Sequence, residues 1–119
     1  MNHTINEHIQ KYQLPLKYDN GPLYEFALVC RDGKYFLTDQ GNTFEQLDKV
    51  FELKEPDVIK NLVAILKHFK VNKINDEFLI EITDWDNDTN SEVSKGLAEA
   101  KYRLFACISF MERMKIFYV

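Results

Sequence analysis

The sequence predicts an α+β domain in which β-hairpins form a small antiparallel sheet packed by helices, in the order α-β-β-α-α-β-β-α with a long C-terminal helix. Three observations carry this expectation. Asp32-Gly33 lies between two alternating runs, the strongest hairpin signal in the chain. Apolar residues recur at helical spacing through 58–69. From Thr89 to Val119 a heptad-spaced apolar series continues without a proline. The 119 residues suffice for a single α+β domain, 1–119, with no internal repeat or linker. At 45% hydrophobic and 13% aromatic residues, the chain has material for a real core, which excludes a disordered or low-complexity segment.

The elements follow in order. Thr4-Ile5-Asn6-Glu7 has the spacing of a capping box, and Ile5, Ile9 and Tyr12 share one helical face, so a first helix is expected there. Pro15 and Asp19-Asn20-Gly21-Pro22 end it in a loop. Leu23 to Arg31 alternates as a strand, with Tyr24, Phe26, Leu28 and Cys30 on one face and Glu25, Ala27, Val29 and Arg31 on the other. A two-residue turn at Asp32-Gly33 pairs Arg31 with Lys34, Val29 with Phe36 and Leu28 with Leu37. The return strand is expected from Lys34 to Asp39.

Asn42 or Thr43 is the expected cap of a short helix that turns Phe44, Leu47 and Phe51 inward. Glu55-Pro56-Asp57 opens the next, with proline at the first helical position, where its missing N–H is no loss. Its stripe is Val58, Ile59, Leu62, Val63, Leu66 and Phe69. A short strand over Val71–Ile74, a turn at Asn75-Asp76 and an alternating strand through Phe78, Ile80 and Ile82 complete a second hairpin. The final helix opens at the capping box Thr89-x-x-Glu92. It carries Val93, Leu97, Ala100, Leu104, Cys107, Met111, Met114 and Tyr118 at spacings of 4, 3, 4, 3, 4, 3 and 4. Phe105, Ile108, Phe110 and Phe117 lie off that seam, so its second half is apolar nearly all round. The expectation is a homodimer through this helix or a docked partner. The plainer alternative is a core helix wrapped by the chain's own sheet and the 58–69 helix.

Net charge is −4, which disfavours direct nucleic-acid binding or an electrostatic grip on a membrane. The longest apolar run is far shorter than the ~20 residues of a bilayer span, and the polar start predicts no secretory signal. A cytoplasmic protein is expected. Two distant cysteines, Cys30 and Cys107, make neither a disulfide framework nor a zinc knuckle, and both fall on apolar faces. His3, His8 and His68 are scattered, and four glycines leave little for a phosphate loop. No cofactor and no metal site are expected.

In Asp84-Trp85-Asp86-Asn87-Asp88, Asp84, Asp86 and Asp88 fill the first three ligand positions of a calcium loop, but Thr89 stands where glycine is needed and Lys95 where glutamate is. A polar loop ahead of a helix dipole explains it better. Trp85 is then a candidate partner anchor. Lys60, Lys67, Lys70 and Lys73 crowd one segment, and Asp76, Glu77, Glu81, Asp84, Asp86, Asp88 and Glu92 follow it, a weak echo of inhibitors that imitate DNA. The best enzymatic candidate is a carboxylate pair on the sheet, Asp39 with Glu25, as in metal-dependent nucleases. It lacks the lysine such sites carry two residues after a strand carboxylate: Gly41 follows Asp39 there, and Thr83 follows Glu81.

Leu37-Thr38-Asp39, Gly41, Thr43, Phe44 and Leu47 resemble the Leu-Thr-Asp-x-Gly hairpin-to-helix signature of an uncharacterised family of small bacterial and phage proteins. The likeness covers about residues 23–119 and implies a phage or mobile-element setting with no established activity. Polar residues that family members carry before the first strand are replaced here by Pro22-Leu23-Tyr24-Glu25-Phe26. The signature also has a structural account. Asp39 caps an Asx turn, Gly41 takes the left-handed conformation, and Thr43 starts the helix. Asp39 nonetheless falls on the apolar face with Phe26 and Leu37, where a carboxylate is held for a reason.

The expected function is a non-enzymatic protein-interaction module, one form of which inhibits a host defence protein or nuclease. Trp85, Leu104, Met111, Met114, Phe117 and Tyr118 are its candidate partner-binding residues. A divalent-metal hydrolase using Asp39 and Glu25 is the alternative, and a chaperone-like adaptor for one partner a third.

Overall fold

In the computed structural model, which describes residues 7–18, 21–49, 53–83 and 95–113, the elements are β1 (Glu7–Lys17), β2 (Leu23–Arg31), β3 (Lys34–Thr38), α1 (Asn42–Asp48), α2 (Pro56–Phe69), β4 (Asn72–Ile74), β5 (Glu77–Ile82) and α3 (Lys95–Arg113). The strands form one antiparallel sheet in the order β1-β2-β3-β5-β4. The α+β class with its hairpins and long last helix is as expected, but the first element is a strand.

The helical spacing of Ile5, Ile9 and Tyr12 competes with a period of two at Tyr12, Leu14 and Leu16. The decision comes from β2. Without a neighbour on that side, its nine residues would leave a row of backbone donors and acceptors unpaired. β1 pairs there from Glu7 opposite Cys30 to Lys17 opposite Leu23, with Tyr12 and Leu14 packed on the core. Pro15 fits because β1 is an edge strand, and it lies where the register shifts between Gln13 and Lys17. The Thr4 end of the proposed capping box lies outside the described residues.

The central hairpin has the expected register, Arg31 opposite Lys34 and Leu28 opposite Leu37. Asp32 and Gly33 both take positive φ, 52° and 78°, as a type I′ turn requires. Alternation gives the sheet two faces. On the inner face Tyr24, Phe26, Leu28, Leu37, Phe78, Ile80 and Ile82 meet α2 and α3 in a single core. On the outer face Ala27, Thr38 and Leu79 form one cross-strand row, each at most 1% exposed.

The facing of α2 departs in part from the expected stripe. α2 buries Val58, Leu62, Ile65 and Leu66, leaving Ile59 and Val63 each 44% exposed. α1 buries Thr43, Gln46 and Leu47, with Phe44 half-buried at the rim; Phe51 lies outside the described residues. The seam of α3 turns inward: Leu97, Ala100, Leu104, Cys107 and Met111 are all buried, joined by Ile108. Of the two readings of this helix, its described part follows the plainer one, because the inner sheet face and α2 cover the seam. Tyr102 and Phe110 take the exposed side.

Candidate functional site

Asp39 stands where β3 gives way to α1, and every part of it is used. Its N–H donates to the Phe78 carbonyl (3.0 Å), extending the β3–β5 ladder by one residue. Gln40 and Gly41 then take φ of 62° and 82° and swing the chain into α1. One carboxylate oxygen accepts the Gly41 N–H (2.9 Å) and the Phe78 N–H (3.0 Å), and the other accepts the Thr43 N–H (3.1 Å). The α1 cap residue is Gly41, without a side-chain cap; Asp39 does the capping from two residues upstream. The Thr43 hydroxyl also bonds the carboxylate and lies 2.8 Å from the Tyr18 hydroxyl. An ionised carboxylate only accepts, so Thr43 donates to Asp39 and Tyr18 donates to Thr43. Burial raises the Asp39 carboxyl above the usual range, outweighing the opposite pull of these hydrogen bonds.

A second polar group lies beside the first. The Tyr18 and Tyr24 rings stand 4.5 Å apart. The Tyr24 hydroxyl donates to Glu112 on α3 and is also bonded by Ser109. Burial raises the Glu112 carboxyl, and the Tyr24 bond opposes that shift. Cys107, fully buried, has its thiol pushed up to about 12 by burial and then by the Asp39 charge. It is therefore a packed apolar group at neutral pH and no nucleophile.

Glu25 does not join Asp39. It lies on the outer face, where it accepts from Gln40 Nε2 (3.2 Å) and pairs with Lys11 Nζ (3.7 Å). The sheet separates the two carboxylates that the hydrolase reading needs on one metal. Among the described residues no group of three or more His, Cys, Asp or Glu side chains is placed to hold a metal ion. Farther along that face Arg31 makes a bidentate pair with Glu77 (2.9 and 2.8 Å), and Thr38 donates to the same carboxylate. Arg31 is level with Lys34, so its side chain runs along the sheet toward the Ala27–Thr38–Leu79 row to reach Glu77.

The expected partner surface divides. Leu104 and Met111 are fully buried in the chain's own core. Trp85, Met114, Phe117 and Tyr118, and the acidic loop 84–90, lie outside the described residues. An apolar surface missed by the sequence reading lies instead between α1, α2 and β4. It is a groove of about 260 Å³ lined by Phe44, Leu53, Ile59, Leu62, Val63, Leu66, Lys73 and Phe78. Its signal was present: the apolar residues of 58–69 cover more of the helix than the stripe one contact needs. Comparison of the chain with protein-family models, with curated proteins and with solved structures finds no match in any of the three.

Proposed function

We propose that this protein is a non-enzymatic interaction module that engages a protein partner through the groove beside α2. The observation that carries this reading is the open groove, with Ile59 and Val63 each 44% exposed on one edge of it. Contiguous apolar surface of this kind costs solubility and is a feature of binding sites. The most conspicuous candidate for chemistry, Asp39, is occupied in holding β3, α1 and β5 together. The likeness of residues 37–47 to small phage and bacterial proteins supports a phage or mobile-element setting, and inhibition of a host defence protein or nuclease is one form the work takes. Free Cys30 and Cys107 accord with action in a reducing cytoplasm. Exposed Tyr102 and Phe110 on α3 support self-association as a second part of the proposal, by a face other than the buried seam.

The test is capture from host lysate with the tagged full chain, with nuclease treatment, beside the same chain carrying Val63→Asp. The expected result is one stoichiometric protein that survives nuclease and is lost with the variant. Recovery of the bait alone, or equal capture by both chains, overturns the reading.

A further inference from the structure

We infer that the groove takes an extended peptide that adds as a strand to the open edge of β4, seats apolar side chains beneath α2, and carries carboxylates on its flanks. This rests on the interaction reading and names the partner's chemistry.

The backbone supplies the first argument. Phe78 directs both its N–H and its C=O toward Asp39, on the β3 side of β5. Backbone groups along a strand alternate in direction, so Glu77 and Leu79 bond β4 through their opposite numbers Ile74 and Asn72. Lys73, opposite Phe78, therefore turns its own N–H and C=O away from β5. Among the described residues, nothing follows β4 in the sheet order. An incoming strand finds a donor and an acceptor of the right spacing there, the usual basis of strand addition.

The second argument is the apolar floor. Lys73 and Phe78 share the inner face, so a strand laid against β4 points alternate side chains into the groove. Ile59 and Val63, one turn apart on α2, overhang that space, and about 260 Å³ accommodates one or two aliphatic side chains. Ile74, opposite Glu77 and 55% exposed, lies on the outer face of the same edge, so it is not part of the groove.

Charge selects the occupant. Residues 58–75 contain Lys60, Lys67, Lys70 and Lys73 and not one acidic residue, in a chain whose net charge is −4. All four lysines are exposed, and Lys73 lies over the Phe44 ring at 5.4 Å. A second copy of this chain fits poorly, because pairing two β4 edges brings Lys73 and the α2 lysines against their own kind. Acidic flanks meet the rim instead, which favours encounter as well as register.

The experiment is panning of a phage-displayed random dodecapeptide library on the full chain, with counter-selection on Val63→Asp. The expected consensus has apolar residues at alternate positions with Asp or Glu on both sides. A synthetic peptide of that consensus loses at least about tenfold in affinity on Val63→Asp and on Lys67→Glu/Lys73→Glu. N-methylation of the peptide amides on its paired edge abolishes binding. The lysine variant, altered only at exposed positions, keeps the test decisive should Val63→Asp fail to fold by circular dichroism. No enrichment, basic flanks, apolar spacing of three and four, or indifference to N-methylation overturns the inference. If lysate capture succeeds while panning fails, this inference falls and the interaction module stands; if both fail, both fall.

Discussion

Asp39 accepts from backbone N–H groups of three separate segments, the β3–α1 turn, the start of α1 and β5. Asparagine has nearly the same shape but replaces one acceptor with a donor, so at least one buried N–H faces another. Asp39→Asn is expected to cost about 2–3 kcal/mol, read from urea midpoints with the slope held constant. An unchanged midpoint would show the carboxylate to be dispensable for the fold. Glu112 permits a prediction in pH. Burial raises its carboxyl in the folded chain, so the native state binds that proton more tightly than the unfolded state does. The resulting stabilisation is complete below the unfolded value of about 4 and is lost as pH rises through the raised folded value. Above about pH 4, therefore, the wild-type midpoint falls relative to that of Glu112→Gln as pH rises, since glutamine has no proton to lose. Parallel pH profiles for the two proteins would refute this assignment. Asp39 contributes in the same direction for the same cause.

At the scale of single elements, α3 separates covered from uncovered positions most sharply. Leu104 has no exposed surface, while Tyr102, two residues away, is 70% exposed. Leu104→Ala leaves a cavity under the sheet and is expected to cost about 2–5 kcal/mol. Tyr102→Ala is expected to stay within about 0.5 kcal/mol. Thermal or urea unfolding of both at several protein concentrations checks this. A loss from Leu104→Ala that appears only as a shift in oligomeric state would place the seam at an interface instead. α2 shows the opposite case, an apolar stripe wider than its packing. Its end is set by Lys70, which takes φ of 57° and donates its N–H back to Lys67. That sharp stop delivers Val71 to the core and β4 to the edge of the sheet.

Across the whole molecule, β1 and β4 occupy the edges and leave β2, β3 and β5 in the interior of the sheet. Removing residues 1–17 exposes the full length of β2 as a flat apolar edge, and aggregation is the expected result, followed by light scattering of the shortened chain. A soluble, monomeric shortened chain would mean that β1 is an ornament. Local chemistry alone determined a good deal of this protein. The turn at Asp32-Gly33, the register of its hairpin, proline at the head of α2 and the Asx turn of Asp39 each depend on a few adjacent residues and on their allowed dihedrals. Facing and pairing depended on the tertiary structure. Strand β1 exists because β2 needed a partner, the α3 seam is buried because the sheet and α2 reach it, and Ile59 and Val63 are open because no other described element covers their side of α2. Asp39 and Glu25 are adjacent to paired positions, yet the pleat sets them on opposite faces. Backbone preference is decided within a few residues, whereas burial and convergence of side chains are decided by what the rest of the chain brings alongside.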